Sequence, residues 1–247
     1  MLNDIQPHIR CCSKDAAKYT IMPGDPGRVD RVKFFLENPV DLAFNREFKS
    51  CTGFYKGVKV MVISTGIGGA STGIVVEELK NIGVQTLIRI GSCGALQPII
   101  KLGDLIIANG AVRDEGTSKA YVEESYPAVP DTEVLISLIE SAKELGCNYY
   151  CGKIRSHDSF YTDEEQKIDK YWGEKGILGA DMESAALFVI GGLRNLKTAS
   201  VLNVVVENDG NLVGINSYVD GESVTALGEK REIITVLEAI VKLEKNK

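Results

Sequence analysis

The apolar residues of the chain form short runs that alternate with longer segments of helical periodicity. Runs rich in Val and Ile, each leading into glycine or turn residues, predict buried strands at 19–22, 58–64, 86–90, 105–108 and 199–206. Apolar positions at helical spacing predict helices at 71–81, 131–145, 182–193 and 231–243. Because strands and helices alternate, the pattern predicts an α/β fold whose largely parallel or mixed central β-sheet is flanked by helices. The chain contains no linker or internal repeat, so we expect a single domain over residues 1–247.

Composition and charge exclude several classes of protein. The 247 residues are 44% hydrophobic and 25% charged, which is typical of a globular chain with a sizeable core. The formal net charge of −6 argues against nucleic-acid binding through a general basic surface. No apolar run is long enough to span a bilayer, and the N-terminus lacks the pattern of a signal peptide. The six cysteines form no CxxC pair and only two histidines occur, so we expect a reduced, cytoplasmic protein without a metal site.

Two motifs at strand ends indicate an anion site. The turn GDPGR (24–28) follows the first strand and opens a helix, where exposed N–H groups and the fork of Arg28 suit phosphate oxygens. Arg89 interrupts an otherwise apolar strand, and Ser92 follows it. A buried arginine needs a partner, which phosphate would supply, although a nearby carboxylate would serve equally well. A plain turn with a surface arginine likewise remains an alternative for the first motif.

Four further motifs carry chemistry only if they meet in space. STGIGGAS (64–71) is another strand-to-helix turn, whose glycines have either a ligand-binding or a purely conformational role. In DMESAA (181–186) the carboxylate of Glu183 could accept hydrogen bonds from a sugar diol; alternatively, it only complements the helix dipole. SFY (159–161) is a candidate stacking surface or part of the core. END (207–209) offers an acid at a strand end or a polar turn.

The order and spacing of these motifs resemble one family. PGDPGRV (23–29), STGIGGAS (64–71), IRIGSCGALQP (88–98) and DMESAAL (181–187) resemble segments of the trimeric and hexameric nucleoside phosphorylases. That group contains bacterial-type purine nucleoside phosphorylase, uridine phosphorylase and the apicomplexan purine enzymes. The resemblance extends from about residue 6 to the last helix. It implies a single α/β domain of phosphorylase type, with a central mixed sheet between helices.

The resemblance implies a phosphate site shared between two subunits. It places Gly24, Arg28, Arg89 and Ser92 around the phosphate, with Arg89 also assigned as catalytic. A further arginine, Arg46 in its NRE context, is expected from the neighbouring subunit. Inorganic phosphate is then a co-substrate, and no metal or organic cofactor is expected.

The resemblance also assigns the sugar site. Met182 and Glu183 are expected to hold the ribose, and His8 of a neighbouring subunit its 5′-hydroxyl. Asp181 stands where the family usually has Glu, is one methylene shorter, and is assigned to the base end of the site. Because two residues act across an interface, we expect a homo-oligomer, at least a dimer and up to a hexamer built as a trimer of dimers.

The implied reaction is cleavage of a nucleoside by phosphate into free base and pentose 1-phosphate, in nucleoside salvage. Phe160 and Gln166 are expected at the base, with Asp209 as general acid and Asn208 as its substitute. Uridine phosphorylases read uracil with a Gln and an Arg, whereas Glu164 and Gln166 stand at those places here. We therefore expect a purine nucleoside, narrowly, with uridine as the alternative. A hydrolytic nucleosidase and a non-catalytic nucleoside-binding protein remain further alternatives.

Overall fold

The computed structural model describes residues 5–208 and 223–245. Within these residues a nine-stranded sheet has the order β2-β3-β4-β1-β5-β8-β7-β6-β9. Its strands are β1 (Tyr19–Pro23), β2 (Glu37–Asn45), β3 (Phe48–Tyr55), β4 (Val58–Ile63), β5 (Thr86–Ala95), β6 (Leu105–Asp114), β7 (Tyr149–His157), β8 (Gly179–Asp181) and β9 (Lys197–Val206). The helices are α1 (Pro26–Lys33), α2 (Gly69–Asn81), α3 (Gly116–Tyr121), α4 (Thr132–Glu144), α5 (Glu165–Glu174), α6 (Ser184–Leu193) and α7 (Val224–Lys245).

The sheet is mixed, and one part of it closes on itself. Parallel pairs join β1 to β4 and β5, β5 to β9, and β7 to β6 and β8. Antiparallel pairs join β3 to β2 and β4, β5 to β8, and β6 to β9. Since β5 pairs with β9 as well as β8, the strands β5, β8, β7, β6 and β9 form a closed ring. The strand that carries Arg89 therefore lies at the junction of the ring and the open sheet.

Helices cover both faces of this sheet. One apolar cluster packs beneath α2 and α6 and includes Leu79 and Phe188. The other packs beneath α1, α4 and α7 and includes Val32, Leu138 and Val236. The predicted single-domain α/β class with a mixed sheet is confirmed. No helix in the described part of the chain is both long and apolar enough to traverse a membrane.

The strands that the pattern missed have little apolar signal. The residues of β2 are mostly exposed, so selection for burial leaves no alternation there. The first half of β7, residues 149–153, is likewise only partly buried or exposed. By contrast β5 runs to Ala95, beyond the predicted end at residue 90, because β9 and β8 continue to pair with it.

Candidate active site

A cavity of about 2050 Å³ opens where β1, β5 and β9 end. It brings together most of the residues that the sequence analysis assigned to a site. Those that line it are Gly24, Arg28, Arg89, Ser92, Phe160, Gln166, Asp181, Met182, Glu183 and Asn208. Ligands of α/β proteins commonly bind at the carboxyl ends of strands, as expected here.

Arg28 is fixed at one wall of this cavity. It lies in the first turn of α1, where Asp25 caps the helix by accepting a hydrogen bond from the Gly27 amide at 2.8 Å. The Arg28 Nε atom donates to Glu229 Oε2 at 2.8 Å, and Nη2 donates to Ser92 Oγ at 3.0 Å. Glu229, from α7, also pairs with Arg31. The buried guanidinium of Arg28 is thus held against Ser92 with its charge balanced from behind.

Arg89 is the buried charge at the centre of the site, with only 4% of its surface exposed. Its Nε donates to Asp181 Oδ2 at 3.0 Å, and Nη2 forms an ion pair with Glu183. Burial opposes the charge of Arg89, but these two carboxylates outweigh it and raise the pKa of the guanidinium. Nη1 is buried and has no hydrogen-bond partner among the described residues.

The unpartnered Nη1 atom of Arg89 lies beside the first glycine turn. A Cβ atom at Gly24 would lie 3.8 Å from Arg89 Nη1 and 3.2 Å from the carbonyl oxygen of Gly66. Gly24 therefore lies next to this nitrogen and places no side chain against it. The carboxylate alternative for Arg89 thus applies to two of its nitrogens, and phosphate binding by Arg89 stays a prediction.

Asp181 has a place other than the one expected. Its carboxylate accepts hydrogen bonds from Ser156 Oγ at 2.5 Å, from the Ser184 amide at 3.1 Å and from Ser184 Oγ at 2.6 Å, besides that from Arg89. Its side chain has no exposed surface. The sequence analysis assigned Asp181 to the base end, whereas its oxygens here are used to orient Arg89 and to bind Ser184 at the start of α6; a role at the base stays a prediction.

Glu183 links the second glycine turn to Arg89. One carboxylate oxygen accepts from the Gly68 amide at 2.6 Å, and the other accepts from the Met182 amide at 3.3 Å. Burial raises the pKa of Glu183, and Arg89 opposes the rise. The φ of Gly68 is 95°, which favours glycine and turns its amide toward this carboxylate. The STGIGGAS turn thus serves both a conformational and a site-building role.

The opposite end of the cavity carries the aromatic pair. Phe160 and Tyr161 make an edge-to-face contact with ring centroids 4.9 Å apart, and 40% and 77% of their surfaces are exposed. Gln166 lies on α5, a helix with no buried residue. This end is therefore open and lightly packed.

Three charged or titratable residues at that end were missed from the sequence. Arg155, His157 and Asp169 line the cavity, and the Arg155 Nε donates to Asp114 at 2.7 Å. Burial and the charge of Arg155 lower the pKa of His157, whereas burial raises the pKa of Asp169. The available signal was the alternation of charged residues at the end of β7, which resembles an ordinary exposed edge.

The residues expected to act between subunits lie outside this cavity. Arg46 is exposed at the turn between β2 and β3, with φ 56°. The His8 ring lies with Nδ1 2.6 Å from Glu78 Oε1. Their roles stay predictions, since each requires a second chain. Asp209 lies outside the described residues.

The fold and the site together define a class: an α/β enzyme whose strand-end cavity carries two buried arginines beside carboxylates. Residues 18–228 match the phosphorylase superfamily, and the chain belongs to this family. The resemblance to the nucleoside phosphorylases is thus confirmed, and the class of enzyme is that of the pentosyltransferases.

Relatives within the family carry several names. The chain is 40% identical to a uridine phosphorylase of Thermococcus kodakarensis, over 96% of this chain and 86% of that one. It is 39% identical to a guanosine phosphorylase of Halorubrum lacusprofundi, over 85% and 86% of the two chains. It is also 39% identical to a purine nucleoside phosphorylase of Plasmodium vivax, over 83% and 84%. A solved uridine phosphorylase from Vibrio fischeri superposes with a TM-score of 0.90 at 46% identity, over 96% of each chain.

Proposed function

We propose that the protein cleaves nucleosides with inorganic phosphate, that uridine is its preferred substrate, and that the products are uracil and ribose 1-phosphate. The observation that carries the phosphate part is Arg89, a buried guanidinium in the cavity lining whose third nitrogen has no partner among the described residues. Arg28 and Ser92 lie at the same wall. Two guanidinium charges in a buried setting attract a dianion far more strongly than they would in water.

In this proposal the phosphate lies beneath the ribose. Gly24, Arg28, Arg89 and Ser92 bind its oxygens, and Arg46 of a neighbouring subunit completes the site. As the bond between carbon 1 and the base breaks, the base leaves with the electron pair and the sugar ring becomes positive. The phosphate dianion stabilises that charge and then forms the new bond to carbon 1. Positioning and electrostatic attraction supply most of the rate enhancement.

The sugar is held from its other side. Glu183 accepts hydrogen bonds from the 2′- and 3′-hydroxyls, and Met182 packs against the ring. His8 of a neighbouring subunit binds the 5′-hydroxyl. Because Glu183 also pairs with Arg89, the sugar and the phosphate are held by one connected set of charges.

The leaving base is stabilised at the open end of the cavity. Phe160 stacks on its face, and the Gln166 amide binds its edge. A uracil leaves as an anion that such donors stabilise. A purine instead needs a proton at N7, for which Asp209, or Asn208 in its place, is the proposed donor. Neither an organic cofactor nor a metal takes part.

Two observations bear on the choice of base. The similarity to chains named uridine phosphorylase, at 40% and 46% identity over almost all of this chain, favours uridine. Glu164 and Gln166 in place of the uracil-reading pair favour a purine nucleoside, which is the second candidate. The narrow purine preference from the sequence is not confirmed, and we rank uridine first.

A substrate panel assayed with and without phosphate tests the proposal. Release of base from uridine, inosine, guanosine and adenosine is followed by chromatography. We expect release only with phosphate and the highest kcat/KM for uridine. A purine nucleoside with the highest value would move the assignment to the second candidate. Release without phosphate would indicate a nucleosidase, and binding without turnover a nucleoside-binding protein.

The shared site is tested by mixing two inactive variants. Arg46→Ala and Arg89→Ala each damage every site of a homo-oligomer. If Arg46 acts across a twofold interface, a mixed dimer contains one intact site and one doubly damaged site. Random mixing then restores about a quarter of the sites. If activity does not recover after reversible dissociation and mixing, Arg46 does not act in the site of the neighbouring subunit. Sedimentation measures the size of the oligomer.

A further inference from the structure

A second carboxylate from α7 lies behind the phosphate wall and has no role in the reaction described above. Glu232 has no exposed surface. Its Oε1 atom accepts a hydrogen bond from the Gly91 amide at 2.6 Å. Its Oε2 atom is buried and has no partner among the described residues. Buried polar atoms without partners are rare and costly, so this one needs a physical explanation.

The cations near Glu232 are already paired with other carboxylates. Arg28 of α1 is bonded to Glu229, one turn earlier on α7, and Arg89 of β5 is bonded to Asp181 and Glu183. An ionised Glu232 would therefore be a buried negative charge with no ion pair of its own.

The protonation state of Glu232 follows from this setting. Burial raises the pKa of Glu232 to about 8 and the negative charge of Glu229 adds to the rise, whereas Arg28, the hydrogen bond from Gly91 and Arg89 oppose it. The thiol of Cys93 also senses the charge of Glu232, and burial raises the pKa of this thiol well above its usual value. This setting favours the neutral carboxylic acid near neutral pH, and its carbonyl oxygen can still accept the hydrogen bond from Gly91.

The bond to Gly91 connects Glu232 with the phosphate site. Gly91 lies between Arg89 and Ser92 on β5, and it lines the cavity. A Cβ atom at Gly91 would lie 2.5 Å from Arg89 Nη2, so the backbone here is packed directly against that guanidinium. A shift of the Gly91 amide would displace both neighbouring phosphate residues.

We propose that Glu232 is a positioning residue of the phosphate site: the neutral acid holds the Gly91 amide in place, and its ionisation weakens the binding of inorganic phosphate. The inference rests on the proposed function, since it presupposes that phosphate binds beside Arg28 and Arg89. A negative charge added behind two phosphate-binding arginines opposes the dianion through the buried interior, where screening by water is weak.

The test is the affinity for inorganic phosphate, measured by titration calorimetry without nucleoside from pH 7.5 to 9.5. In this range the phosphate is already largely a dianion. We expect the Kd of the wild-type protein to rise about fivefold or more across the series. Glu232→Gln keeps the acceptor for Gly91 but cannot ionise, so its Kd should change less than about twofold. Glu238→Gln, at a half-buried position of the same helix where Glu238 binds Tyr55 and Lys56, should follow the wild type.

A second variant separates positioning from charge. Glu232→Met removes both the acceptor and the ionisation, so we expect a higher Kd than in Glu232→Gln at every pH, with no rise across the series. The inference is overturned if the wild-type Kd is constant, or if Glu232→Gln shows the same rise as the wild type. Failure of the proposed function is recognised separately, because the wild-type protein would then bind no phosphate at pH 7.5.

Discussion

The two ends of the cavity are built in opposite ways. The phosphate end comprises the buried Arg28, Arg89 and Glu183 and the half-buried Ser92, and its charged groups are joined by ion pairs and hydrogen bonds. The base end, comprising Phe160, Tyr161, Gln166 and Asp169, is partly or fully exposed and rests on a helix with no buried residue. One end is fixed by the core of the protein, and the other lies on its surface.

This difference matches what the reaction asks of each end. Phosphate is the same in every turnover, so a rigid, preorganised set of charges can stabilise the transition state without rearranging. The base is the variable part of the substrate, and relatives of similar identity carry names that refer to different bases. A lightly packed segment can change its residues at little cost in stability, whereas the buried charges cannot.

The largest effect is expected for Arg89→Ala. The change removes the group that faces the anion, so we expect phosphate-dependent kcat/KM to fall by about three orders of magnitude or more. It also leaves Asp181 and Glu183 as buried carboxylates without their cation, which should cost about 3–5 kcal/mol in the free energy of unfolding. Steady-state kinetics and denaturant unfolding measure the two losses. Retained activity would reject the assignment of the phosphate end.

A matched variant separates chemistry from folding at this position. Arg89→Lys keeps a positive charge between the two carboxylates. It loses the planar fork that can bind Asp181, Glu183 and the proposed phosphate at once. It should therefore recover much of the stability while phosphorolysis remains strongly reduced. Equal recovery of both properties would show that charge alone, without the geometry of the guanidinium, suffices.

The next effect concerns stability and pH at the phosphate end. The pKa of Glu232 is raised from 4.5 to about 8 in the folded chain, so the folded state retains a proton that the unfolded state releases. Stability therefore falls as the pH rises from about 5 to about 8 and levels off above that value. Glu232→Gln removes this loss, and its stability relative to the wild type should increase by about 4 kcal/mol between pH 5 and pH 9.

Denaturant unfolding at a series of pH values measures this difference. Glu238→Gln is the control on the same helix, because the pKa of Glu238 is lowered by Lys56 and Tyr55 against the effect of burial. Glu238 stays ionised throughout this range, so its replacement should give a constant difference. A pH-independent difference for Glu232→Gln would show that Glu232 is ionised at neutral pH.

An intermediate effect is expected for Glu183→Gln, the residue of the phosphate end that is proposed to hold the sugar. The change weakens hydrogen bonds from the sugar hydroxyls to a charged acceptor, which are worth about 1.5–3 kcal/mol, so kcat/KM for uridine should fall about a hundredfold. With 2′-deoxyuridine one of these bonds is absent already, and the loss should be smaller. Glu77→Gln on the surface, where Glu77 pairs with Arg194, should leave both substrates unaffected. An equal fall in kcat/KM with both substrates would show that Glu183 does not bind the 2′-hydroxyl.

The phosphate end was predictable from sequence because burial of charge leaves a trace. An arginine within an apolar strand, as at residue 89, has few explanations, and the glycine turn at residue 24 is a second signal of the same site. The carboxylates behind them were not predicted, because Glu229 and Glu232 come from a helix far along the chain. Which of several acids meets an arginine depends on how that helix packs, and no local pattern contains this information.

The base end and the outer strands were harder to predict for a related reason. Arg155 and His157 lie on β7, where charged residues alternate in the sequence as they would on an exposed edge, although Arg155 is buried. The closed ring of β5, β8, β7, β6 and β9 depends on pairing between strands distant in sequence. The apolar pattern reports which residues are buried but not which strand pairs with which. Hence the mixed sheet was predicted and its closure was not.

The smallest effect is expected at the base end, for Phe160→Ala. Loss of a stacking ring should raise the KM for nucleoside about tenfold, since aromatic–base contacts are worth about 1–3 kcal/mol. Because Phe160 is 40% exposed, the free energy of unfolding should change by less than about 1 kcal/mol. The affinity for phosphate should stay the same, since Phe160 lies at the exposed base end and its ring contact is with Tyr161.

Tyr161→Ala is the control for this last change, because Tyr161 adjoins Phe160 in sequence and contacts its ring but is 77% exposed. We expect its KM to change about twofold or less, which would identify Phe160 as the ring that meets the base. A larger effect at Tyr161 would exchange the two assignments. A change in phosphate affinity in either variant would show that the two ends are coupled, and that the base end is not the independently variable surface argued above.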